Sequence, residues 1–132
     1  GLEETMGEKP DTGAAPSQGD PEHGLGFGAT AIAQLGPRAG LSVRFATLPF
    51  ELHNEDPGAL RLSGPRGFDR MLQLGSSVLG RHPECDIGLD PRWRTISRVH
   101  AVIDWDREWG EPGQSGVLRI TNLSSQGITV EA

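Results

Sequence analysis

The stretch TISRVHAVIDW, residues 95–105, sets a hydroxyl, a guanidinium and an imidazole (Ser97, Arg98, His100) within four positions of one another, just ahead of an apolar run. Read as extended chain from Val99 on, it places Val99, Ala101, Ile103 and Trp105 on one face and His100, Val102 and Asp104 on the other. The branched side chains favour a strand. Polar groups gathered at a strand end suit three uses: a hydrolytic site, a nucleic-acid contact, or a socket for an anion.

Working outward, the polar connection DREWGEPGQSG leads into VLRITNL, which reads as the partner strand of a hairpin, and SSQG makes a final turn. On the other side ALRLSG, RMLQLG and SSVLGR are short apolar or alternating runs, each closed by glycine. Earlier still, TAIAQLG and LSVRFATL read as two short strands joined across GPRAG, after which HNEDPG breaks the chain. Short strands at intervals of roughly 8–12 residues, with no helical period of useful length, predict an all-β sandwich or barrel of short antiparallel strands. The 19 glycines and 10 prolines among 132 residues agree with a turn-rich β protein.

Charge is unevenly spread. Residues 1–28 carry Glu3, Glu4, Glu8, Asp11, Asp20 and Glu22 against Lys9 alone, whereas the rest is nearly neutral within a total of −6. That segment has few large apolar side chains to offset chain entropy, so it is expected to be a disordered acidic tail. Its GLGFGA has neither an apolar strand before it nor a helix after it, as a nucleotide-binding glycine loop would. A lone cysteine, Cys85, excludes an intramolecular disulfide framework and fits a reducing compartment, cytoplasmic or nuclear. It stands three residues from His82, but a structural zinc needs further ligands, so no metal or other cofactor is expected. No apolar run approaches the length that spans a bilayer.

Ser97 with His100 makes a poor hydrolase: residues three apart on a strand point to opposite faces, and no third orienting group accompanies them. A nucleic-acid contact has more support, since Arg92, Arg94 and Arg98 flank Trp93 and could join charge to stacking. The acidic tail and Glu84, Asp86 and Asp90 oppose it.

Three clusters remain, LGRHPECDI (79–87), ISRVHAVI (96–103) and ITNLSSQGITV (120–130), each at a strand end. Together they resemble the forkhead-associated (FHA) domain. Its sparse signature is a glycine-arginine, then a serine-x-x-histidine, then an aspartate/asparagine-x-serine-x-asparagine-glycine turn, and order and spacing agree over about residues 58–132. The resemblance implies a β-sandwich that binds a threonine-phosphorylated peptide at one loop end, and hence a Ser/Thr kinase upstream. It makes Arg81 the phosphate-binding arginine, Ser97 the phosphate-binding serine and Arg98 an adjacent phosphate contact. Ser125 and Gln126 match the pair that contacts phosphate and peptide backbone. Gly80 and Gly127 match tight backbone turns, His100 a buried brace, and Asn122 a structural position at the site. The chemistry is sensible, because the planar fork of arginine suits a phosphate dianion better than lysine does.

Gln126 replaces the usual asparagine and Ile128 the usual threonine, and the chain stops at TVEA, before the family's last strands. The expected division is therefore a tail over 1–28, a strand pair or linker over 29–57, and an FHA domain over 58–132 that lacks its closing strands. Either the chain is a fragment, or the pair around TAIAQLGPRAGLSVRF fills the vacant place from the N-terminal side. The expected function is phosphothreonine-peptide binding, not catalysis. The alternatives are a structural FHA module that assembles without phosphate and, behind it, a weak nucleic-acid-binding β domain. Thr5 and Thr12 in the tail would be open to kinases and tethered to the chain's own socket.

Overall fold

Leu41, Val43 and Phe45 are buried while Ser42 and Arg44 between them are not, and the same alternation continues through Phe50, Leu52 and Asn54. A period of two is what extended chain produces when one face meets a core. The computed structural model describes residues 22–55, 59–107 and 115–131, and these form two sheets. The strands are β1 Glu22–Leu25, β2 Thr30–Leu35, β3 Gly40–Phe45, β4 Leu48–Glu55, β5 Ala59–Ser63 and β6 Asp69–Leu72. They continue with β7 Gly75–Gly80, β8 Ile87–Gly88, β9 Ala101–Arg107, β10 Gly116–Asn122 and β11 Ile128–Glu131.

One sheet runs β1-β11-β3-β4-β5-β6 and the other β2-β10-β9-β7-β8, with every described pairing antiparallel except β7 with β8. The inner faces contribute Phe45, Phe50, Leu52, Leu60 and Leu62 from the first sheet and Leu79, Ile103, Trp105, Leu118 and Ile120 from the second. The fold is the expected all-β sandwich. Because neighbouring strands reverse direction, one end of it gathers the segments 26–29, 46–47, 64–68, 81–86, 89–100 and 123–127.

Four expectations are corrected. The acidic tail does not reach residue 28: β1 lies within it, held by pairing Leu25 with Ile128 and Glu22 with Glu131 of β11. GLGFGA accordingly joins two strands, β1 and β2. Residues 1–21, with Thr5 and Thr12, lie outside the described residues. TAIAQLG and LSVRFATL are strands β2 and β3, but they are not paired; they enter different sheets, and β3 pairs instead with β4, a strand the polar LPFELHNE had concealed. Finally, β9 begins at Ala101, and Val99 is 42% exposed while His100 is buried. The backbone of residues 97–100 bonds to a neighbouring loop, which keeps these residues out of a regular ladder.

Candidate functional site

Three loops meet at the gathered end because their backbones share hydrogen bonds. Arg81 N–H donates to the Ser97 carbonyl (3.2 Å), His82 N–H to the Arg98 carbonyl (3.0 Å), His100 N–H to the Leu79 carbonyl (2.8 Å) and Leu123 N–H to the His100 carbonyl (2.9 Å). Gly80 permits this contact. A Cβ there would collide with the Arg98 carbonyl and stand 2.9 Å from Val99 Cα, both backbone atoms that cannot swing away. Gly80 is thus required for close approach and not, as its match to a tight turn implied, for turning. Gly127 does turn, with φ of 88° in the left-handed region.

Beneath the loops lies a closed polar network. His100, Asn122 and Ser124 are all buried. Ser97 N–H donates to His100 Nδ1 (2.9 Å), so in the neutral ring the proton sits on Nε2, within reach of the Gly127 carbonyl (3.0 Å) and Ser124 Oγ (3.1 Å). Ser124 Oγ donates to Asn122 Oδ1 (2.7 Å) and accepts from Gly127 N–H (3.0 Å), while Asn122 Nδ2 donates to the Leu25 (2.9 Å) and Ser124 (3.2 Å) carbonyls. Burial pushes the His100 imidazole below its ordinary range, outweighing the pull of the Gly127 carbonyl toward the charged form. The edge of Phe45 packs on the ring at 5.9 Å, so β3 supports the site from below. His100 is thus buried and bonded to residues of two loops.

Above this network lie the groups matched to ligand contact. Arg81 is half-buried; its Nε donates to the Ile96 carbonyl (2.5 Å) and its Nη1 to that of Pro91 (3.4 Å), which leaves the Nη2 edge without a partner among the described residues. Ser97 is half-buried beside it, and Arg98, Ser125 and Gln126 are exposed on the neighbouring loops. The Arg94 and Arg98 side chains make no hydrogen bond or ion pair among the described residues. Arg92, by contrast, grips Asp90 (2.8 Å) and holds that carboxyl down at about 2. The end therefore offers unpaired cations and hydroxyls together, the donors that an anion with several oxygens requires.

Ser124 is a residue that reading the sequence missed. It occupies the serine position of the turn motif, but only the structure shows it bonded to His100, Asn122 and Gly127. Trp93 is reassigned: its ring packs edge-on against Phe50 (6.0 Å) and Phe68 (6.2 Å), as part of what anchors the 89–100 loop. Half-buried in this aromatic cluster, the ring has less surface to offer a stacked base. The ground for rejecting a hydrolase changes too. Ser97 and His100 lie in a turn and do touch, but the imidazole nitrogen is occupied by the Ser97 backbone N–H rather than its hydroxyl. Cys85 Sγ bonds to the Arg98 carbonyl (3.3 Å), His82 Nδ1 accepts from Glu84 N–H, and no metal-holding cluster occurs among the described residues.

A two-sheet β-sandwich with braced, cationic loops at one end defines the class of fold and site. A family model described as the FHA domain matches residues 77–132, which takes in all three loops and supports an FHA domain there. Members of that family are phosphopeptide-binding interaction modules rather than enzymes. No curated protein and no solved structure matches the chain. Among the described residues no helix is long and apolar enough to cross a membrane.

Proposed function

We propose that this module binds proteins phosphorylated on threonine, which makes its interactions dependent on a Ser/Thr kinase and places it in the cytoplasm or nucleus. In this reading Arg81 Nη2, Ser97 and Arg98 hold the phosphate, Ser125 contributes a further hydroxyl, and Gln126 reaches the peptide backbone. The observation that carries it is the convergence of Arg81, Ser97 and Arg98 on loops whose backbones are bonded to one another and braced by His100. Donors held in place before the ligand arrives lose little entropy on binding, so even an exposed phosphate can be held tightly. The strands β1 to β4 belong to the same module, since β3 carries the Phe45 that supports His100.

Titration with a phosphothreonine peptide, its phosphoserine twin and its unphosphorylated form tests the proposal. Binding should require phosphate and should favour threonine by about 1 kcal/mol, the worth of one buried methyl. Equal binding of the unphosphorylated peptide removes it. A second reading, assembly without phosphate, has one observation in its favour: Arg81 already spends two edges of its guanidinium on loop carbonyls and so has a structural role of its own.

A further inference from the structure

Among the described residues the large apolar side chain most open to water is Phe27, at 77% exposure, and it stands at the loop end. It sits at the corner of a tight turn in which Ala29 N–H donates to the Gly26 carbonyl (3.1 Å) and Gly28 takes φ of 82°, as a type II turn requires. The turn is fastened to the site. Gly28 N–H donates to the Asn122 carbonyl (2.6 Å), Asn122 N–H to the Ala29 carbonyl (2.9 Å), and Asn122 Nδ2 to the Leu25 carbonyl (2.9 Å). The buried asparagine that shapes the 123–127 turn therefore also fixes the turn bearing Phe27. An aromatic ring held out on a fixed backbone gains hydrophobic free energy only from a ligand, and orders few torsions when it does.

We infer that Phe27 forms an apolar wall for a second side chain of the bound phosphopeptide, an aliphatic or aromatic one. This rests on the phosphopeptide reading above. In the sheet order β2-β10-β9-β7, Phe27 precedes β2 and Arg81 follows β7. Three strand spacings are about 14 Å, or about four residues of extended peptide. A phosphate held between Arg81 and Ser125 lies closer, so the residue that meets Phe27 is about two to four positions from the phosphothreonine, on the side that crosses the 123–127 turn. The stretch GLGFGA carries no charge, so an acidic or basic peptide side chain finds no partner there.

The test is a set of phosphothreonine peptides in which each flanking position is in turn alanine, leucine, phenylalanine, glutamate or lysine, titrated against the full chain and its F27A and R81A variants. The wild type should favour leucine or phenylalanine at one position by about ten-fold. F27A should lose that preference, binding the leucine, phenylalanine and alanine peptides alike, and R81A should lose all of them. A preference that survives in F27A, or no apolar preference in the wild type, overturns the assignment of Phe27 and leaves phosphate recognition standing. Failure of every phosphopeptide overturns both. The melting temperature of F27A should match the wild type, and a fall would mark Phe27 as structural and overturn the inference.

Discussion

The backbone N–H of Ser97 donates to Nδ1 of His100 across 2.9 Å, so a residue matched to ligand contact is positioned by one matched to structure. Through Nε2 the same ring reaches Gly127 and Ser124 on the opposite loop. Replacing His100 by alanine leaves the Ser97 N–H and Ser124 partly unsatisfied and opens a cavity against Phe45. A loss of about 2–3 kcal/mol is expected in thermal or urea unfolding. Unfolding curves that overlay the wild type would show that the ring does not brace the loops.

The direction of the His100 shift sets a pH dependence. Folded, the imidazole takes up its proton less readily than in the unfolded chain, whose value is 6.5. The unfolded state therefore binds more protons as pH falls below that value, and stability declines; above it this contribution is constant. A protonated Nδ1 also meets the Ser97 N–H donor head-on. Denaturant midpoints should fall between pH 7 and pH 5, and H100Q should show a weaker fall over the same interval.

Gly80→Ala tests the contact between the 81–86 and 89–100 loops. The methyl would meet backbone on both sides, so the loops must separate. A cost of about 2 kcal/mol is expected, together with loss of phosphopeptide binding, because Arg81 and Ser97 move apart. Wild-type affinity in a folded G80A protein would show that the two loops act independently.

Arg81 and Arg98 should separate when each is truncated. R81A should weaken phosphopeptide binding by about 2–4 kcal/mol and also cost some stability, since it removes the bonds to the Ile96 and Pro91 carbonyls. R98A should weaken binding by roughly 1 kcal/mol, leave melting unchanged, and flatten the salt dependence of binding. Calorimetry at two ionic strengths distinguishes the two; identical behaviour would contradict the different surroundings of the two guanidinium groups.

Alternating residues made β3, β9 and β10 legible in the sequence, because each meets the core with one side chain in two. Less could be seen where a polar side chain occupies an inward place. Asn54 on β4 is buried, and its amide bonds to the Leu35 and Gly36 carbonyls, contacts between distant residues that no local pattern announces. β1 was hidden for another reason: of its two C-terminal residues only Leu25 is buried, and its pairing with β11 joins segments about as far apart as the chain allows. At the loop end, residue types and order singled out Arg81, Ser97 and His100, which the fold brings together. The proton arrangement around Ser124 and the packing of Trp93 required the folded chain.

The pairing of Glu22 with Glu131 supports a prediction about the strand order. These residues face each other on adjacent antiparallel strands at the end opposite the loops, so a short hairpin could join them. Strands β3 and β4 supply Val43, Phe45, Phe50 and Leu52 to the core, and residues 59–131 alone would expose the faces these cover. That segment by itself is expected to aggregate or remain unfolded. A permuted chain that runs from Ala59 to Glu131, crosses a designed turn, and continues from Glu22 to Glu55 keeps every described pairing and breaks only the covalent connection between β4 and β5. It should melt cooperatively and bind the phosphothreonine peptide as the natural order does. Cooperative folding and binding by residues 59–131 without the N-terminal strands would instead show that β1 to β4 are not part of the module.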